Sequence, residues 1–126
     1  MKLKYLFIFN AFATIIFGIG SVLMPQTLVT LFGSTLNPAG VLMMQYGGVW
    51  LIGLGLLAWL ARNASDSEAR KAVILAFMVC YGVAFVVALL AQLNAVLNAF
   101  GWGTVGLNLI LALGYGYFQF AKPRAV

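Results

Sequence analysis

The side chains able to do chemistry in this chain are few, and they are amides, phenols and hydroxyls rather than acids and bases. Within its apolar runs the polar positions that could meet a ligand or a partner are Asn10, Gln45, Asn108, Tyr115 and Gln119, with Thr14, Ser21, Tyr46 and Tyr81 beside them. There is no histidine, and Asp66 and Glu68 are the only acids. General acid–base catalysis needs a positioned group that exchanges a proton, and nucleophilic catalysis needs a base beside the nucleophile. Cys80, Tyr46, Tyr81 and Tyr115 have no evident base, and ordinary haem and zinc sites lack their ligands. We therefore expect no catalytic residue, no metal and no cofactor, and read the chain as non-enzymatic. The amides and phenols can instead exchange hydrogen bonds, either across a helix pair or with a neutral ligand.

The elements that must position them are apolar throughout. Of 126 residues 64% are hydrophobic and 7% charged, and the mean hydropathy is +1.07. A soluble domain carries about 25% charged residues and would not keep this much apolar surface out of water. Several runs of about twenty apolar residues fit the roughly 30 Å hydrocarbon core of a bilayer. Period-two alternation, the mark of a membrane β-barrel, is absent. The fold class expected is all-α: four transmembrane helices at about 5–24, 39–61, 66–91 and 102–120, forming a single domain, with a short amphipathic interfacial helix between the first two.

The third run holds Ala72, Ala76, Cys80, Ala84 and Ala88, a small side chain at every fourth position. Such a ridge lets another helix backbone approach closely, and at 3.6 residues per turn it drifts about 40° per step. Cys80 lies within it and reads as a packing residue, since a lone cysteine has no partner for a disulfide. In the last helix Gly103, Gly106 and Gly114 form one smooth face, while Asn108, Ala112, Tyr115 and Gln119 form another on roughly the opposite side. In the first, Asn10, Thr14, Gly18 and Ser21 share a face that reads as packing glue or as a ligand contact through Asn10. Gln45, Gly48 and Gly55 share a face of the second.

Pro25 suits the first position of a short helix that Gly33 stops, and Asn37-Pro38 reads as cap and first turn of the next. The segment 62–71 is hydrophilic. There Ser65 with Glu68 reads as a capping box, and both acids favour the positive end of the third span. The polar positions Gln92, Asn94 and Asn98 read as that span continuing for a turn or two before Gly101. Asn63-Ala-Ser65 matches a glycosylation sequon, but on an inner loop it would not be presented.

Net charge is +5, yet the basic residues Lys2, Lys4, Arg62, Arg70, Lys71, Lys122 and Arg124 form no aromatic-interleaved patch, so no nucleic-acid partner is expected. They fall at the first residues, the 62–71 loop and the last residues, with none at 25–38 or 92–101. By the positive-inside rule both termini face the cytoplasm. The run from Tyr5 to Met24 is long enough to span and has no clear cleavage site, so it is read as a helix and not a secretory signal.

Phe17-Gly18 running to Pro25, the Leu31-Phe-Gly33 stop, and Gly47-Gly48 through Gly53-Leu-Gly55 ahead of Arg62 resemble small bacterial four-helix membrane proteins of unknown function, in the DoxX-like neighbourhood. The resemblance runs over most of the chain in pattern. It implies a bacterial inner-membrane location and carries no activity. Small drug exporters share the length but depend on an acid in the first helix, where Asn10 and Thr14 stand. Small fluoride channels often insert in both orientations, against the charge bias here. Gly114-Tyr-Gly116 resembles a piece of a potassium filter but lacks the preceding Thr-Val and lies near the inner end of a helix.

The reading that follows is an accessory or structural subunit, packing by its small-residue and polar faces against another membrane protein or its own copies, in contact with membrane lipids. The alternative is a small carrier or pore for a neutral or lipid-like molecule, with Gln45 and Asn108 at similar depth. A lipid- or quinone-contacting module is a third reading, suggested only by abundant phenylalanine.

Overall fold

Pro25, Gly33 and Pro38 punctuate the first half of the chain, and helices start or stop beside each. The structure, a computed structural model, describes residues 2–120. Within them lie five helices: α1 Leu3–Leu23, α2 Pro25–Leu31, α3 Pro38–Ala61, α4 Glu68–Leu93 and α5 Gly101–Phe120. No strand occurs among the described residues, so the protein is all-helical. Lys122 and Arg124, and with them the expected placement of the C-terminus, lie outside the described residues.

Local chemistry accounts for most of the boundaries. Proline opens α2 and α3, where its missing N–H is no loss. Asn37 caps α3, its Oδ1 accepting from the Gly40 N–H at 2.7 Å. Gly33, at φ 83°, ends α2 in a Schellman turn in which the Ser34 N–H donates to the Val29 carbonyl at 3.1 Å.

Two boundaries differ from the sequence reading. The expected Ser65–Glu68 capping box does not form. Ser67 is the cap of α4, with its Oγ accepting from the Arg70 N–H at 3.2 Å. Glu68 is then the first helical residue, too early to reach back to the cap, and it pairs with Lys71 at 3.7 Å instead. Nor does α4 continue toward Gly101. It ends in a second Schellman turn, with the Val96 N–H donating to the Ala91 carbonyl and Ala95 at φ 57° where glycine is usual. Asn98 Oδ1 then accepts from the Phe100 N–H, closing the turn that leads into α5.

Helices α1, α3 and α4 are long and apolar enough to cross a membrane. The 20 residues of α5 suffice in length, but with Thr104, Asn108, Tyr115, Tyr117, Gln119 and its glycines it is not among the three apolar enough to span. Ile16, Trp50, Leu60, Val83 and Leu113 are all more than half exposed. Monomeric soluble proteins do not carry apolar surface of this extent, whereas lipid solvates it.

The chain divides into two compact units, Met1–Arg62 and Asn63–Val126. In the first, α1 and α3 run antiparallel, with Val22 beside Gln45, Gly18 beside Gly48, Thr14 beside Gly55 and Phe12 beside Trp59. The short α2 packs back on this pair with Leu28 beside Gly20, and Phe32, just past its end, meets Phe17 edge to face with ring centroids 6.2 Å apart. In the second unit α4 and α5 run antiparallel, with Gln92 beside Gly101, Tyr81 and Phe77 beside Tyr115, and Met78 beside Gly116.

Candidate functional site

In the first unit the residues of interest line the α1/α3 seam. Asn10, Thr14, Gly18 and Ser21, one face by their spacing, are all buried, together with Leu6, Phe7 and Ala11. From α3 the seam receives Gly48, Gly55, Ala58 and Ala61. The approach is backbone to backbone. A Cβ placed on Gly18 would stand 2.7 Å from the Gly48 carbonyl oxygen, and one on Gly48 would stand 2.7 Å from that of Gly18. A Cβ on Gly55 would meet Thr14 Oγ1 and the Ile15 side chain at 2.5 Å. Close packing of this kind replaces the hydrophobic drive that lipid removes.

The hydroxyls of the seam are satisfied along their own helix. Thr14 Oγ1 donates to the Asn10 carbonyl at 2.7 Å and Ser21 Oγ to the Phe17 carbonyl at 2.9 Å. Both bonds let a polar residue sit in an apolar seam without an unsatisfied group. Gln45 is the cross-helix contact: its Nε2 donates to the Val22 carbonyl at 3.1 Å, taking up one of the orphan acceptors at the end of α1.

In the second unit the core is aromatic. Tyr115 is fully buried, and its ring stacks on Tyr81 at 6.2 Å with an interplanar angle of 12°. Phe77 lies 5.1 Å from Tyr115 and 5.9 Å from Tyr81, completing the cluster. Rings at these separations attract beyond their buried area, by about 0.5–1.5 kcal/mol per pair. Asn108, half-buried, donates through Nδ2 to the Thr104 carbonyl at 2.9 Å, within its own helix. Gln119 is half-buried on the same stripe as Tyr115. So the polar and aromatic face of α5 is the one turned to α4.

The small-residue ridge of α4 takes a different course. Ala72 and Ala76 are exposed, and Cys80, Ala84 and Ala88 are half-buried. The helix meets α5 through Ile74, Phe77 and Tyr81. A row of period four turns about 40° per step, so it begins on the outer side and winds inward from Cys80 on. On α5, Gly103 is exposed and Gly106 and Gly114 are half-buried, and a Cβ on Gly103 or Gly106 would meet nothing within 4 Å.

Two features escaped the sequence. Phe77 and Tyr81, an aromatic pair at i,i+4, carry the core of the second unit, and that spacing beside a buried tyrosine on another helix was the available signal. The other is at the end of α3. Arg62 donates through Nη1 to the Trp59 carbonyl at 2.6 Å and lies 3.8 Å over the Trp59 ring, a Trp-x-x-Arg spacing at a helix terminus. In the loop that follows, Arg70 contacts Asp66 at 3.5 Å and donates to the Ala64 carbonyl at 3.3 Å. Among the described residues no group of three metal-ligating side chains comes together.

Helices of this length and composition, joined by glycine contact and ring packing with their outer faces apolar, define an all-helical membrane protein. Residues 1–118 match a family described as a domain of unknown function, DUF8292, and the chain belongs to that family. No curated protein and no solved structure matches it.

Proposed function

We propose that the protein is a non-enzymatic accessory subunit of the membrane, which associates through the outer faces of α4 and α5 with another membrane protein or with copies of itself. One observation carries this reading. The small residues at the seam of the first unit are in contact, whereas several on α4 and α5 lie in front of open space. Gly82, Gly103 and Gly106 would each admit a Cβ with nothing within 4 Å, and Ala72 and Ala76 are exposed. Glycine and alanine on a lipid-facing surface bury little by themselves, but they admit a second backbone closely.

In this reading α5 is the fourth span, completing two antiparallel pairs, and α2 lies at the outer interface as an uncharged amphipathic turn. Both termini and the loop between α3 and α4 face the cytoplasm, supported by the basic residues at those places. The pattern shared with DoxX-like proteins supports a bacterial inner membrane.

The test is isolation of the native assembly in mild detergent. Wild-type protein is expected to run with a partner or as an oligomer, and Ala76→Trp to run as a folded monomer, because the ring blocks the outer face without touching either seam. A strictly monomeric wild type with nothing co-purifying refutes the reading.

A further inference from the structure

The seven cations and two acids of the chain are not evenly matched. Asp66 and Glu68 are taken up by Arg70 at 3.5 Å and Lys71 at 3.7 Å, both within the loop and first turn of α4. Lys2, Lys4 and Arg62 have no carboxylate at ion-pair distance among the described residues. These three belong to the first unit, and the antiparallel register that sets Phe12 against Trp59 brings the start of α1 and the end of α3 to the same end of that unit. Three positive charges therefore gather where two helices end, none of them in an ion pair among the described residues.

Arg62 is also held in place. Its guanidinium stacks on the Trp59 ring and gives one Nη1 hydrogen to the Trp59 carbonyl. A guanidinium has five N–H donors, so the rest of the fork remains available in a fixed orientation, which suits the planar recognition of phosphate oxygens. Trp59 beside it is partly exposed, and so is Tyr5 at the start of α1. Rings with a polar edge of this kind settle at the depth where acyl chains give way to headgroups. The anion abundant at that depth is a phosphodiester carried by a lipid.

We propose that this end of the first unit binds an anionic phospholipid, its phosphate held by Arg62, with Lys4 and Lys2 adding attraction and Trp59 at the level of its glycerol. The proposal rests on the membrane placement of α1 and α3 given above and is independent of any protein partner.

The full chain is reconstituted in nanodiscs of phosphatidylcholine containing a minority of phosphatidylglycerol, and the lipids it retains on release are counted by native mass spectrometry. Each cation near an anionic lipid contributes about a fivefold preference, so the wild type is expected to enrich phosphatidylglycerol about tenfold or more over its bulk share. Arg62→Gln and, separately, Lys4→Gln are each expected to lower that enrichment about fivefold. The second variant keeps the Arg62–Trp59 contact and so guards against a fault in folding. Lys71→Gln removes the same charge beside Glu68 and is expected to leave the enrichment unchanged. Equal retention of both lipids by the wild type overturns the proposal, as does an equal loss in Lys71→Gln. Failure of the wild type to enter discs of phosphatidylcholine alone overturns the membrane placement itself, a separate result.

Discussion

Gly47 and Gly48 are neighbours in sequence, yet replacing each by alanine should move stability in opposite directions. A Cβ on Gly48 would stand 2.7 Å from the Gly18 carbonyl oxygen and 2.9 Å from Ser21 Cβ, against an ordinary contact of 3.4–4 Å. The obstacle is backbone, which cannot rotate away, so α1 and α3 must part by about 0.7 Å. A radial gap of that size forfeits about a quarter to a half of each dispersion contact along the seam. Overpacking of this sort costs about 1–3 kcal/mol. Around Gly47 nothing lies within 4 Å, so the added methyl brings only helix propensity, about 0.5–1 kcal/mol in favour. The propensity gain is common to both, so the two variants should differ by the overpacking cost, about 1–3 kcal/mol. Thermal unfolding of the full chain in one detergent, followed by circular dichroism, reads the order directly: Gly47→Ala at or above wild type, Gly48→Ala below it. Adding Gly18→Ala to Gly48→Ala should cost less than its own single effect, because the helices have already parted. Equal melting of Gly47→Ala and Gly48→Ala would refute the backbone seam.

Three further outcomes follow from single residues. Ala95 sits at φ 57°, where an L side chain crowds the following carbonyl, so Ala95→Gly should raise stability by about 1 kcal/mol in the same melting experiment. Tyr115 is fully buried among Phe77 and Tyr81, and Tyr115→Ala should cost about 3–5 kcal/mol and abolish cooperative melting of the second unit, whereas Tyr115→Phe keeps the stacked ring and should lose far less. Ser67→Ala should cost about 1 kcal/mol and Ser65→Ala almost nothing, since Ser67 alone accepts from the third residue of α4; chemical-shift indices of the 65–70 amides provide the check.

The parts of this fold legible in the sequence are those set by short-range chemistry. Pro25, Pro38, Asn37 and Gly33 placed the ends of α2 and α3 within a residue, because each acts on the backbone beside it. Length and composition marked α1, α3 and α4 as spans without reference to tertiary structure. The face of Asn10, Thr14, Gly18 and Ser21 was legible too, since spacing alone gathers a helical stripe. Which stripe meets which helix was not. Ala72, Ala76, Cys80, Ala84 and Ala88 make the most regular row in the chain, but regularity at period four describes a winding line, and the partner in the fold follows the straighter stripe of Ile74, Phe77 and Tyr81. The start of α4 was ambiguous for another reason. Ser65 and Ser67 both stand three residues ahead of a helical N–H, and the choice falls to Arg70, whose contacts with Ala64 and Asp66 tie the loop ahead of Ser67.

The two antiparallel pairs meet one difficulty by different chemistry. Between helices in lipid there is little hydrophobic gain, so association depends on contact area and fit. The first pair obtains it by bringing backbones together at Gly18, Gly48 and Gly55; the second fills the space between its helices with Phe77, Tyr81 and Tyr115. Rings of that size hold their helices apart, and the glycines of α5 are then of no use inside the pair. Gly103 and Gly106 accordingly face open space, as Gly47 and Gly53 do on α3. Each loses about 0.5–1 kcal/mol of helix propensity relative to alanine, and nothing among the described residues returns it. A neighbouring helix backbone would, because only a residue without a Cβ lets it approach. The association proposed above rests on these uncovered glycines more than on any polar residue.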